Sequence, residues 1–241
     1  QIRVNSARVK PNVKLFENQL IRIPNFIRNN NKKIDKIFTK KSTDLFLKLK
    51  ESVVYEDDYF LIFNKPFGLA VQGGSKLGSL HLDGILPLFS NSKFPSPKLV
   101  HRLDKETSGI LVVAKTPKSA SEFSKLMVDR KISKSYWALV KTPPKNKIGI
   151  LYNPSSDTFI LKKDLIEKYH LDKEYINAKL CSLNIEDKET VSTYKEIKVY
   201  DNYSWLKLWA ITGRKHQLRK QLASIGCSII GDDKYGQTEK M

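Results

Sequence analysis

Two runs near the C-terminal end, residues 190–200 and 205–211, are rich in β-branched and aromatic side chains. Between them stands the turn-prone stretch Asp201-Asn202-Tyr203. The spacing predicts an antiparallel hairpin, and this pairing constrains the fold most. Shorter strand-like runs occur at 59–63, 110–114 and 136–140. Helical signals are few. Thr116-Pro117 reads as an N-cap and first turn, and Ala120, Phe123 and Met127 then share an apolar face. Leu45, Phe46 and Leu49 suggest a short amphipathic helix. Leu218, Leu222 and Ile225 fit a last helix, stopped by Gly226. Mostly antiparallel strands with a few flanking helices make the class α+β, with a mixed, mostly antiparallel sheet rather than a doubly wound one.

Charge narrows the partners. The chain carries 43 Lys and Arg against 25 Asp and Glu, a net +18. Such an excess points to a polyanion, nucleic acid before an anionic membrane surface. No apolar run is long enough to span a bilayer, so no membrane role is expected. Nothing after Gln1 reads as a signal peptide, and the absence of an initial Met suggests that a piece precedes it. Cys181 and Cys227 lie far apart with no CxxC spacing, which argues against a zinc site or a disulfide framework and for reduced thiols inside a cell. The histidines, at 81, 101, 170 and 216, are scattered, and no carboxylate cluster accompanies them as a metal-dependent nuclease would need.

The basic excess is uneven. Residues 1–50 hold thirteen basic and three acidic side chains. Within 1–24, short strands broken at Asn5-Ser6 are followed by another at Leu20-Ile21-Arg22-Ile23, stopped by Pro24. Residues 25–50 read as a basic linker, and a denser domain is expected over 51–241.

Four segments stand out chemically. In Leu99-Val100-His101-Arg102-Leu103-Asp104-Lys105-Glu106-Thr107-Ser108-Gly109 the carboxylate of Asp104, two residues before Glu106, sits in a polar loop ahead of the apolar run 110–114. By residue type alone Asp104 is either a turn-capping carboxylate or a catalytic one. Gly213-Arg214-Lys215-His216-Gln217-Leu218-Arg219 opens the last helix and places Arg219 and Lys220 beside an apolar stripe. Lys134-Ser135-Tyr136-Trp137-Ala138 puts Tyr136 on one strand face with Ala138 and Val140. Asn64-Lys65-Pro66-Phe67-Gly68 punctuates the strand at 59–63.

The first of these resembles the HRLDxxTSG motif of the RluA-type pseudouridine synthases. The others resemble that family's GRxHQ(I/L)R, Lys-x-Tyr-x-Ala and NKPxGxxV elements, in family order. Val71-Gln72-Gly73-Gly74-Ser75 is similar to the RluC branch, with Gln72 where a His is common. Gln221 likewise stands where a His often follows. Residues 1–24 resemble the second half of the alpha-L RNA-binding domain.

The resemblance implies isomerisation of uridine to pseudouridine in RNA, 23S ribosomal RNA above all, by a monomer in the bacterial cytoplasm or an organelle matrix. Asp104 is then the catalytic residue, acting in a cleft of the sheet. Arg219 would hold Asp104 ionised through a bidentate contact. Tyr136 would stack on the flipped base and Leu218 would wall the pocket. Arg102 would fill the vacated space in the RNA stack. The NKPxGxxV-like element would be scaffold that shapes the cleft and would place Lys65 near backbone phosphates. Lys215 and Lys220, with Arg3, Arg8 and Lys10 from the basic first segment, would hold the RNA backbone. The reaction conserves atoms and oxidation state, so no cofactor and no metal are called for. A non-catalytic RNA-binding protein of the same fold and a transfer-RNA-modifying member are the competing readings.

Overall fold

The computed structural model describes residues 3–9, 13–22, 40–73, 80–91, 97–153, 160–161 and 189–236. Lys10, Cys181 and most of the predicted linker lie outside them. The chain divides into two compact units, Gln1–Ala120 and Ser121–Met241. The physical reason lies in the ladders: the two larger antiparallel sheets share no strand.

The first unit opens with β1 (Arg3–Val4), β2 (Ala7–Arg8) and β3 (Ile21–Arg22), ordered β2-β1-β3. Asn5 and Ser6 both take positive φ, 47° and 67°, the backbone that a two-residue hairpin with the native strand twist requires. The Asn5 side chain then accepts from the Leu20 N–H at 2.8 Å, bringing β3 alongside. Register puts Arg3 between Arg8 and Arg22 on one face and buries Val4 on the other.

Helix α1 (Lys40–Glu51) places Lys48 and Lys50 in its last turn, where cations suit the helix dipole. It buries Leu49 and sets Phe46 edge-on to Phe89 at 4.9 Å. Strands β4 (Val53–Glu56), β5 (Phe60–Lys65), β6 (Lys98–Leu99) and β7 (Gly109–Ala114) pair antiparallel in the order β4-β5-β7-β6. Between β5 and β6 lies the single-turn helix α2 (Leu82–Ile85), continued by a 3-10 turn. Leu61, Phe63 and Lys65 alternate inward along β5, and Leu111 and Val113 do so along β7.

Helix α3 (Pro117–Val128) starts as the sequence predicts. Thr116 Oγ1 accepts from the Ser119 N–H at 3.0 Å and Ser119 Oγ accepts from the Thr116 N–H at 3.2 Å, a reciprocal cap.

In the second unit, β8 (Ser135–Val140), β9 (Ile148–Asn153), β10 (Ile160–Leu161), β11 (Thr190–Tyr200) and β12 (Tyr203–Ala210) form a five-stranded antiparallel sheet, ordered β10-β9-β11-β12-β8. The predicted β11–β12 hairpin is present, with a bulge between Glu196 and Lys198. One face of the sheet supplies Ala138, Val140, Leu206 and Leu208 to a core shared with Leu222 of α4 (Gln217–Ser224). Gly226, at φ 76°, ends that helix in the left-handed conformation only glycine adopts cheaply. Among the described residues no helix is long and apolar enough to cross a membrane.

Candidate active site

Asp104 lies half-buried in the loop from β6 to β7. Its own carbonyl closes a turn with the Thr107 N–H at 3.1 Å. The next carbonyl, of Lys105, accepts from the Gly68 N–H at 3.0 Å and from Lys65 Nζ at 3.2 Å. Lys65 Nζ also donates to Pro66 O and Leu69 O, both at 2.9 Å. One buried ammonium therefore ties the end of β5 to the backbone immediately after Asp104. Leu103 is buried beneath the loop, and His101 Nε2 accepts from the Val112 N–H at 2.9 Å, which fixes the neutral imidazole's proton on Nδ1. Arg102 points outward and its Nη1 donates to Gln72 Oε1 at 3.3 Å.

Lys65 corrects the sequence reading. A lysine expected to meet phosphates is wholly buried, because it continues the inward alternation of Leu61 and Phe63. Three carbonyls take the place of water around its ammonium. Burial lowers its pKa from 10.5 to about 8, while the negative charges of Glu106 and Asp104 oppose that fall. In protein with 15N-labelled lysine side chains, Lys65 should titrate near pH 8, well below the surface lysines. A Lys65→Met variant identifies the signal by its loss. Because the unfolded chain binds this proton up to about pH 10.5 and the folded chain only to about 8, Lys65 adds stability as pH rises across that window.

Within the second unit, Tyr136 stands opposite Leu208 on β8, and Tyr136 and Leu218 both pack against the core cluster. Lys215 and Lys220 are exposed. Arg219 forms a bidentate pair with Asp232: Nε donates to Oδ2 at 2.8 Å and Nη2 to Oδ1 at 2.7 Å. The two side chains are only 13% and 4% exposed. Asp232 Oδ1 also accepts the Lys234 and Tyr235 N–H groups, each at 3.1 Å. Arg219 and these hydrogen bonds hold Asp232 down at about 2, below the usual carboxylate range. The Tyr235 ring lies 5.3 Å from the Arg219 guanidinium carbon, and its hydroxyl is 2.9 Å from His216 Nδ1.

Gln217 organises the start of α4. Its Oε1 accepts from Thr212 Oγ1 and the Arg214 N–H, and its Nε2 donates to Val191 O and Ser192 Oγ. Gln221, where the motif often has a His, is buried and donates to Leu151 O at 3.1 Å. Asp232, Gln217 and the true setting of Lys65 were all missed from sequence. The signal for Lys65 was its place in the β5 alternation; Asp232 has none stronger than a polar turn.

Arg102, Lys65 and Asp104 thus belong to the first unit, with Arg3 and Arg8 on its small sheet; Tyr136, Leu218 and Arg219 belong to the second.

Comparison with known proteins gives the family. Residues 59–224 match the RNA pseudouridylate synthase family model. The ribosomal large subunit pseudouridine synthase C of Rickettsia felis is 35% identical over 250 residues, covering 100% of this chain and 75% of that protein. The protein of the same name from Haemophilus ducreyi is 32% identical over 236 residues, covering 98% and 68%. Human RNA pseudouridylate synthase domain containing 4 shares the fold with a TM-score of 0.59 at 24% identity, over 80% of this chain and 72% of that one. The chain belongs to the RNA pseudouridylate synthase family and is an RNA-modifying isomerase.

Proposed function

We propose that this enzyme converts uridines of large-subunit ribosomal RNA to pseudouridine, with Asp104 as its catalytic residue. The observation that carries the reading is the fixed loop. Two donors on the Lys105 carbonyl, the Gly68 N–H and Lys65 Nζ, fix the backbone immediately after Asp104 and so restrict where its carboxylate can point. The names of the bacterial relatives support the ribosomal target and a cytoplasmic setting. The row Arg8–Arg3–Arg22 supports reading 1–24 as the strand half of an alpha-L module that grips the RNA backbone, with Lys215 and Lys220 as further phosphate contacts. The enzyme works as a monomer in this reading.

The chemistry is balanced. The N1–C1′ bond of uridine breaks, the uracil turns, C5 bonds to C1′, and the C5 proton leaves as N1 gains one. Ionised Asp104 either attacks C1′ or removes the C2′ proton to give a glycal. The base must first leave its stack, at a cost of about a few kcal/mol. Stacking on Tyr136 returns roughly 1–3 kcal/mol of it. Arg219 supports the ionised carboxylate, Leu218 walls the pocket, and Arg102 fills the gap left in the RNA.

The test is tritium release to water from ribosomal RNA labelled at uridine C5, with pseudouridine mapped in cells lacking the protein. Release from large-subunit RNA and loss of defined pseudouridines there are expected. Release only from transfer RNA would overturn the target, and no release from any RNA by folded protein would overturn the activity.

A further inference from the structure

All three tryptophans of the chain, Trp137, Trp205 and Trp209, occupy one face of the five-stranded sheet, opposite the core. The registers interleave them with lysines. Trp137 pairs across the ladder with Lys207, and Lys207 with Lys195. Trp205 pairs with Lys198. Directly paired residues share a face, so aromatic and cationic side chains alternate over it. Trp137 and Trp205 touch with their rings tilted by 48° and centroids 4.9 Å apart, yet remain 56% and 40% exposed. Lys207 Nζ lies 5.8 Å from the Trp137 ring and 5.2 Å from the Trp209 ring. Among the described residues no acid pairs across the ladder with these tryptophans and lysines: Glu196 turns the other way, onto Ser204, and Glu189 lies at the far edge of the face, where it accepts from Tyr152 Oη.

Exposed aromatic side chains clustered in this way mark interaction sites on protein surfaces. We infer that this face binds single-stranded RNA beyond the target uridine, through base stacking on Trp137 and Trp205 and phosphate contact by Lys195, Lys198 and Lys207. Every base has a π-face and every phosphate a charge, so a surface of rings and cations matches such a strand without regard to sequence. A second copy of the chain fits poorly, because it would bring lysines against lysines. The inference rests on RNA as the substrate and adds a surface that none of the proposed catalytic side chains occupies.

The test uses the full chain and an oligoadenylate of about twelve nucleotides, within the usual footprint of stacking platforms. It contains no uridine, so it cannot be a substrate. Since every tryptophan lies on this face, quenching of intrinsic tryptophan emission reports occupancy there. Saturable quenching is expected. Trp205→Ala should weaken binding about 5–150-fold, and Trp205→Tyr should keep most of the affinity. Lys207→Gln should lower the salt slope by about 0.7. Both Ala and Gln variants should keep wild-type kcat for tritium release from a short stem-loop, with a raised KM on long RNA. Wild-type oligoadenylate affinity in Trp205→Ala and Lys207→Gln overturns the inference. So does self-association that Trp205→Ala abolishes while oligoadenylate leaves the emission unchanged. Absence of tritium release by the wild type would instead overturn the catalytic proposal and leave this binding result standing.

Discussion

Asp104→Asn should abolish turnover while RNA binding survives. The substitution keeps size and removes the charge, so neither attack on C1′ nor removal of the C2′ proton remains open to it. The rate of tritium release should fall below about a thousandth of wild type, the loss expected when the reacting group itself is removed. The loop should hold its shape, because the backbone bonds to the Asp104 and Lys105 carbonyls are untouched by the substitution. Binding to large-subunit RNA, measured by filter retention, should stay near wild type. Pseudouridine formation at the wild-type rate would remove Asp104 from the mechanism.

Asp232→Asn should carry the largest cost to stability. It removes one member of an ion pair whose side chains are 13% and 4% exposed and leaves the Arg219 guanidinium buried against an amide. Breaking such a pair from one side costs about 3–5 kcal/mol. Urea unfolding followed by far-UV circular dichroism should show a lowered midpoint of that order. The pH dependence carries its own sign. Because the folded state holds Asp232 near 2 and its ordinary value is 3.8, its contribution is fully present above about pH 4 and is lost as pH falls through about 2. The acid limb of the wild-type stability profile should therefore lose part of its slope in the variant. If Arg219 supports the catalytic carboxylate, kcat should fall as well, measured in the fraction still folded. Asp232→Glu, which restores the charge on a longer arm, should recover part of both.

Local patterns in the chain were readable wherever local physics decides. Asn5-Ser6 forms a hairpin turn because both residues tolerate positive φ, and 190–200 and 203–210 pair because both are strand-prone around a two-residue turn. Thr116 caps its helix through a contact only three residues away. The resemblance that singled out Asp104, Tyr136 and Arg219 rested on contiguous motifs, and the family match confirms the motifs' family though not the residues' roles.

Lys65 shows where residue type misleads. A lysine between an Asn and a Pro suggests a surface cation, yet alternation along β5 turns it inward, and only three carbonyls from two separate turns make that burial tolerable. Asp232 was hidden for a different reason. In Gly231-Asp232-Asp233-Lys234 two adjacent acids look equivalent, and only the path of the chain after α4 brings the first of them against Arg219. The tryptophan face is intermediate: alternation assigns each side chain a face, but the partners across the ladder depend on register and on the bulge between Glu196 and Lys198.

By itself, then, the sequence determined the β11–β12 hairpin, strands β5, β7 and β8, the start of α3, the end of α4 and the family, all properties of contiguous residues. The tertiary structure alone decided which cation meets which carbonyl or carboxylate. A charge is attracted to any opposite charge within reach, and which groups come within 3 Å is a consequence of the folded path, not of spacing along the chain.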